Sequence, residues 1–452
     1  MELAPTVTSL RFRMQVARVA AASSLLAGAV AFAALVGTAC EDRTGGDIPD
    51  GAAAPSSEGG QPAADAEPQA SRDGATPDSG SDGSTDASAT LCPAGSTLRR
   101  VRTACPGAPL VPPAALTSAL DASAPGDVVS MAGMDEGAAP CLPVIVCTPA
   151  DAPALLFSDS PESPAQDGVL YADTVPAGRY RLYVYHANSG ATVRKFPIVA
   201  LNSGAQPAKV TIVRRGLAAP STQYVSVGKT VLLDWFVDRA PVDVMVPAGA
   251  RVVLDDALDQ LHAAQSELVH AIYDVVTDAT LKISFVSVTA GADAAAVTAG
   301  LSLLARDFNH QRGTFPAADV LVVAASGAAL DGGVRLQSGV QRLRLGLDEV
   351  DDTLMGVDAP TGATQKLLGN YGMLYRFAFG LAAPANAAVS PRGGGWGGVL
   401  RAGSSTAVAL PSATQQLATT TDAIVVGAVA GELRLLTGGG SNLPVDVFLV
   451  TP

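Results

Sequence analysis

The sequence predicts a mainly β protein, with two antiparallel, immunoglobulin-like β-sandwiches following a disordered N-terminal tether. Three observations lead there. From about residue 154 onward, strand-like runs recur every ten to fifteen residues with turn residues between them. The 46 Gly and 31 Pro, with Ala and Val dominating the apolar set, suit strands and turns better than long helices. Before that region lies a long stretch with almost nothing to bury.

Residues 1–39 have the form of a secretion signal. Arg11, Arg13 and Arg18 precede an apolar run, Val19 to Ala39, that ends in small residues. A retained membrane helix is the competing reading of a run this long, but no basic stop-transfer cluster follows. Gly37-Thr38-Ala39 fits an ordinary cleavage site. "GTAC" also resembles a bacterial lipobox, with Gly37 where Leu is usual, which makes Cys40 the expected lipidation site. Cysteine counting agrees: with Cys40 acylated, Cys92, Cys105, Cys141 and Cys147 remain as an even set of disulfide candidates. Residues 40–90 then form an acidic linker, with eleven Asp or Glu against two Arg over 41–90 and Ile48 as the only large apolar side chain. Such a segment stays disordered and acts as a tether.

Residues 91–149 carry the four remaining cysteines and read as a small stapled segment. Cys92 with Cys105 and Cys141 with Cys147 is the local pairing, and three pairings are open. No pair has a zinc-ligand spacing. The first sandwich is expected over 150–300 and the second over 301–452. In "GRYRLYVYHA", Tyr180, Leu182 and Val184 share one face, and Arg181, Tyr183 and Tyr185 the other. "TVLLDWFV", "TLKISFVSV", "ADVLVVAAS", "VQRLRLGL", "YGMLYRFAFGL", "DAIVVGAVAGELRLL" and "VDVFLV" are further expected strands. "DAAAVTAGLSLLARDF" has helical spacing and reads as a short connecting helix. "DALDQLHAAQSELVHAIYD" is ambiguous between helix and loop-then-strand.

Taken together, "LLFSDSPE", "GVLYADTVPAGRYRLYVYHAN", "AKVTIVRRG", "RGTF", "LGNYGMLYRFAF" and "SPRGGGWGG" resemble a family of secreted bacterial proteins known as domain of unknown function 3370. The resemblance covers about residues 154–452. They are also similar to modules of bacterial surface proteins that neighbour stalk domains named after the amine-oxidase N-terminus. The resemblance implies an exported, β-rich protein. The family has no agreed activity, so it implies no catalytic residue and no copper.

The chemistry visible in the chain is sparse. "GGGWGG" matches G-x-G-x-x-G but is not followed by a helix, as phosphate binding requires. "SVGK", Ser226 to Lys229, matches S-x-x-K, yet it lies between segments that read as strands, whereas that nucleophile opens a helix. His186, His262, His270 and His310 are scattered and read as structural. The acidic run 347–352 lacks the spacing of a Ca²⁺ loop. No metal or cofactor is expected. The net charge of −13 implies no basic surface, so nucleic acid is not an expected partner. Aromatics are only 5 % of the chain, so their clusters stand out. Tyr183, Tyr185, Asn370, Tyr371, Arg392 and Trp396 form the candidate binding surface, the alternative being that Tyr371 and Trp396 plug a core edge. The expectation is a non-catalytic, lipid-anchored envelope protein, facing periplasm or cell surface, that binds envelope polysaccharide or another surface protein. The alternatives are a carbohydrate-active or other hydrolase on a β-scaffold, recognisable by converging carboxylates, and a purely structural spacer.

Overall fold

A computed structural model describes residues 92–451 apart from 103–109, 136, 325–337, 347–352, 380–383 and 430. The signal segment, Cys40, the tether, Cys105 and the acidic run 347–352 lie outside the described residues. What is described is mainly β, in four sheets, none of which closes into a barrel. Sheet I has eight strands, in the order Val242–Val246, Ala208–Leu217, Leu268–Thr277, Gly178–Ala187, Ala154–Ser158, Arg312–Phe315, Met355–Asp358 and Ala363–Lys366. Sheet II comprises Arg251–Val253, Ile198–Leu201, Leu281–Thr289 and Gly168–Val175, with Arg194–Lys195 added to the third of these. Sheet III has seven strands: Thr97–Arg102, Val144–Thr148, Asp319–Ala324, Leu374–Ala378, Glu432–Thr437, Gly398–Ala402 and Val408–Leu410. Sheet IV orders Gly339–Leu345, Val445–Thr451, Ala385–Pro391, Asp422–Val429 and Val128–Ser130. All belong to one compact unit, Ser81–Pro452.

The period of two along each strand sorts side chains into layers. In Gly178–Ala187, Leu182 and Val184 join a core with Val269, Ala271 and Tyr273 of sheet I and Ile198, Ala200, Ile283 and Phe285 of sheet II. The alternate residues Tyr183 and Tyr185 join a second core with Phe157 and Ile272 of sheet I and Val320, Val322, Tyr375 and Phe377 of sheet III. Sheet IV closes the same core with Leu343, Leu345, Val389, Val447 and Leu449. Sheet I is therefore covered on both faces, which is why its central strand is apolar or aromatic at nearly every position. Each fully buried Val, Leu or Phe here contributes roughly 1.5–3 kcal/mol. Helix α1, Ala114–Ala122, lays Leu116 and Leu120 on the outer face of sheet IV, beside Val425 and Phe448.

Two strand pairs depart from the expected antiparallel pattern. Ala154–Ser158 runs parallel to Gly178–Ala187, and Asp319–Ala324 parallel to Leu374–Ala378. Between the first two, the chain leaves sheet I, forms Gly168–Val175 in sheet II and returns, which is the crossover that a parallel neighbour needs. Strands from beyond residue 300 complete sheet I, and two strands of the cysteine-containing segment, Thr97–Arg102 and Val144–Thr148, are part of sheet III. Cys92 is bonded to Cys147, not to Cys105 as local pairing suggests, and Cys141 is also disulfide-bonded. The Cys92–Cys147 bridge closes a separation of 55 residues and packs against Ile145 and Leu321 on the outer face of sheet III.

The segment expected to hold the strand "TVLLDWFV" is instead helical. Helix α2 runs Tyr224–Trp235 and buries Val227, Val231, Leu232 and Trp235, a stripe at helical spacing on one side. Runs of Val and Leu carry both periods, and here the helix wins because sheet I offers it a seat. Gly216, in strand Ala208–Leu217, lies so close to α2 that a Cβ would stand 2.2 Å from the Val231 carbonyl oxygen and 2.8 Å from Trp235 Cβ. The ambiguous stretch resolves into a single turn, α3 at Asp256–Asp259 capped by Asp255, then the strand Leu268–Thr277. The expected connecting helix is α4, Ala294–Val297, continued by a 3-10 turn to Gly300. Among the described residues no helix is long and apolar enough to cross a membrane.

The seat at Gly216 gives a direct test. Gly216→Ala overpacks the α2–sheet contact and is expected to destabilise the protein by about 2–3 kcal/mol in urea unfolding; an unchanged midpoint would mean that the helix does not press on the sheet.

Candidate functional site

One end of sheet I opens into a 440 Å³ cavity. Three of the chain segments that meet there, beside Ser441, Asn442 and Leu443, carry most of its polar groups. The first follows strand Ala154–Ser158. Ser158 Oγ lies 2.9 Å from His186 Nε2, and His186 Nδ1 lies 2.9 Å from the Pro161 carbonyl oxygen. Burial lowers the His186 pKa to about 4, so the ring is neutral near pH 7 and serves as a fixed strut for residues 158–161. The second segment precedes strand Arg312–Phe315 and carries Asp307, Asn309, His310 and Gln311. The third is the Gly369-Asn370-Tyr371-Gly372 turn, in which Gly369 (φ 80°), Asn370 (φ 49°) and Gly372 (φ 77°) take left-handed backbone. Two glycines flanking Asn-Tyr are what this turn demands.

An acid–histidine cluster joins the first two segments. Asp307 accepts hydrogen bonds from the backbone N–H of Glu162 (2.7 Å), His310 (2.8 Å) and Asn309 (3.1 Å). The His310 ring sits between two carboxylates, with Nδ1 2.9 Å from Asp307 and Nε2 against Glu162. Burial alone would raise Asp307, but the backbone N–H groups of Glu162 and His310 and the His310 ring outweigh it, and its pKa falls below the ordinary value. Glu162 moves up, chiefly through burial, although His310 opposes this.

Asp159 is the unusual member. It lines the cavity, is 7 % exposed, and its Oδ1 is buried without a hydrogen-bond partner. Burial, then repulsion from Glu162 and Asp307, hold its carboxyl well above the usual range. Asn309, His310, Gln311, Asn370, Tyr371 and Asn442 supply polar groups around the same space. Tyr371 donates its hydroxyl to the Ser441 carbonyl oxygen at 2.6 Å. Phe308, next to the lining residues, is fully exposed, and Leu368 on the opposite segment is 53 % exposed.

Of the residues singled out from sequence, Asn370 and Tyr371 line this cavity. Tyr183 and Tyr185 lie buried beneath it, stacked on Phe157 and against His270. Trp396 is fully buried, in the core with Val399 and Leu410. Arg392 lies in sheet IV, donating to Asp446 at 2.8 Å and to the Thr420 carbonyl at 3.0 Å. Ser226 sits in the first turn of helix α2, not between strands. Lys229 Nζ instead donates to the carbonyl oxygens of Ser412 (2.6 Å) and Gln415, and burial lowers its pKa to about 8. Among the described residues no group of three or more His, Cys, Asp or Glu is placed to hold a metal ion. Sequence reasoning missed Asp159, Glu162, Asp307 and Phe308. The signal on offer was that "SDSPE" runs on from the end of strand Ala154–Ser158 and "RDFNH" precedes strand Arg312–Phe315, two strands that pair in sheet I.

No family model matches the chain, and no curated protein matches it. Among solved structures the chain is similar to the PBSX exported protein XepA, at 12 % identity over 63 % of this chain and 86 % of that one, with a TM-score of 0.14. It is similar to vicilin from Solanum lycopersicum (tomato) at 10 % identity over 65 % and 84 %, TM-score 0.13. A mutant of Bacillus subtilis oxalate decarboxylase gives 11 % identity over 66 % and 77 %, TM-score 0.12. Likenesses at these TM-scores carry no argument.

The Asp159 shift fixes a pH dependence. An acid whose folded pKa is raised binds more protons in the native than in the unfolded state between its ordinary value of 3.8 and the raised one. Stability therefore falls as pH rises through that window. Asp159→Asn, which stays neutral, is expected to match wild type near pH 3.5 and to unfold at a higher temperature than wild type at pH 8. Equal melting temperatures at both pH values would show that Asp159 is not buried against its neighbours' charge.

Proposed function

We propose that the chain is an exported, lipid-anchored, non-catalytic envelope protein that presents two β-sandwich domains and binds a hydroxyl-rich glycan in the cavity at Asp159. Cys40 carries the anchor and residues 41–90 are the tether. Sheets I and II form one sandwich, and sheets III and IV the other. The observation that carries the binding reading is the Asp159 carboxyl, buried and unpartnered on one side in a cavity rimmed by amide, imidazole and phenol groups. A sugar hydroxyl supplies the missing partner, since a buried polar group without one costs roughly 1–3 kcal/mol. Fully exposed Phe308 offers the apolar ring face on which sugar rings stack.

A second reading, hydrolysis, is favoured by one observation: Asp159 is pushed up while nearby Asp307 is pulled down, the pattern of an acid and a base held apart in pKa. Against it, Asp159 is the only one of the three acids that lines the cavity, and Glu162 and Asp307 are engaged with His310. Glycoside hydrolysis needs two carboxyl groups facing the scissile bond.

Co-sedimentation with purified peptidoglycan and with insoluble envelope polysaccharide tests both. Binding is expected to saturate and to weaken roughly tenfold in Phe308→Ala, about one 1.4 kcal/mol step, with no reducing ends released. Release of reducing ends by wild type that Asp159→Asn abolishes, while still pelleting, would establish the hydrolase. Absence of pelleting by wild type would overturn glycan binding altogether.

A further inference from the structure

A second cavity, of 240 Å³, lies between sheet I, helix α2 and sheet III. Its lining holds five arginines, Arg179, Arg181, Arg214, Arg376 and Arg434, against three aspartates, Asp151, Asp274 and Asp319. In a chain of net charge −13, this is a local reversal of sign.

The arginines are placed against the ordinary rules of a sheet. Arg376 stands directly opposite Arg434, and Arg434 directly opposite Arg401, so three neighbouring strands of sheet III present guanidiniums in one row. Like charges directly across a strand pair destabilise it. Partial neutralisation comes from Glu432, 2.9 Å from Arg434 and 3.7 Å from Arg376, from half-exposed Asp151 at 3.2 Å from Arg376, and from Asp238 at 2.8 Å from Arg401. From sheet I, Arg214 faces the same space, with Asp238 3.6 Å away, and Arg179 stands exposed at its edge with no ion pair among the described residues.

Two buried donors in this lining have neither hydrogen bond nor ion-pair partner, Arg214 Nη1 and the indole Nε1 of Trp235, a residue only 2 % exposed, while Arg376 Nε makes no hydrogen bond and has only Glu432, 3.7 Å away, for a counter-charge. The Trp235 ring also carries the guanidiniums of Arg181 and Arg214, at 4.9 and 5.2 Å. Donors without hydrogen bonds on residues that line one arginine-rich space call for an acceptor with several lone pairs and negative charge. Asp319 is ion-paired with Arg181, 3.0 Å away, although its Oδ1 is itself buried without a hydrogen bond. We propose that this cavity is a binding site for a small oxyanion, a phosphate or a carboxylate group of a small molecule, held by Arg214, Arg376 and the Trp235 indole. This inference stands apart from the Asp159 cavity and does not depend on it.

Titration calorimetry of the full-length oxidised protein, with inorganic phosphate in one arm and glucuronate in the other, tests the site at constant ionic strength. Saturable binding of one anion per chain is expected, weakened at least tenfold by Arg214→Gln and by Arg376→Gln and unchanged by Lys282→Gln, an exposed charge elsewhere on the protein. Whichever arm saturates identifies the anion class. No saturation by either anion in wild type would overturn the proposal and leave a water-filled ion-pair network. Equal weakening by all three variants would also overturn it, as the sign of general charge attraction. Each variant's thermal transition is recorded first, and the wild-type titration decides the matter even where a variant fails to fold.

Discussion

A single buried guanidinium holds the two pairs of sheets in register. Arg181 projects from the central strand of sheet I and is 1 % exposed. Its Nε and Nη2 donate to Asp274 on the neighbouring strand at 2.7 and 3.1 Å. Its Nη1 donates across the junction to the carbonyl oxygens of Gly372 and Ala318 at 2.9 and 3.1 Å, and pairs with Asp319. Ala318 and Asp319 open a strand of sheet III, and Gly372 closes the Gly-Asn-Tyr-Gly turn. A Lys could not do this, since the work requires a rigid fork with several donors. Two carboxylates on one cation would leave excess negative charge in the core. Burial, and then Asp274, raise the Asp319 pKa against the pull of Arg181.

Both cavities inherit their geometry from this tie. Gly372, held by Arg181, ends the turn that sets Tyr371 in the lining of the Asp159 cavity. Arg181 also carries one face of Trp235, and so sets the indole against the row of arginines. The same device recurs elsewhere. Arg312 is buried against Asp358 and donates to the carbonyl oxygens of Leu170 and Leu304 at 2.7 and 2.9 Å, binding sheet I to sheet II and fixing the base of the segment that carries Phe308 and His310. Asp446 gathers Arg344 and Arg392 within sheet IV, and the pairing draws its carboxyl below the ordinary value despite burial. In a chain with only 16 % charged residues, Arg181 and Arg312 are buried and serve as inter-sheet fasteners.

The strands were legible because alternation and turn residues are local signals, and Gly178–Ala187 displays both faces in its own letters. Helix α2 was not, because Val and Leu at 225–233 satisfy either period until the fold lays them on the strand that carries Gly216, a contact that no local pattern announces. The disulfide escaped for a similar reason, since sheet pairing rather than proximity in sequence brings Cys92 to Cys147. Part of the candidate site could be read: two glycines around Asn370 and Tyr371 announce a strained turn. Asp159, Glu162, Asp307 and His310 could not, because they come from segments some 150 residues apart, joined only where Glu162 N–H meets Asp307. Trp396 shows the converse. An aromatic among glycines suggests display, yet its ring is fully buried, packed in the core beside Val399 and Leu410.

The central claim is that Arg181 fastens the sheet pairs into one cooperative body. Differential scanning calorimetry of wild type, Arg181→Met, Asp319→Asn and the double variant tests it most directly. The account predicts one transition for wild type, a loss of about 3–5 kcal/mol in Arg181→Met as buried Asp319 and half-buried Asp274 are left without their cation, and a double variant clearly more stable than the sum of the two single losses. A loss within about 0.5 kcal/mol for Arg181→Met, the range of an ordinary surface change, would contradict it.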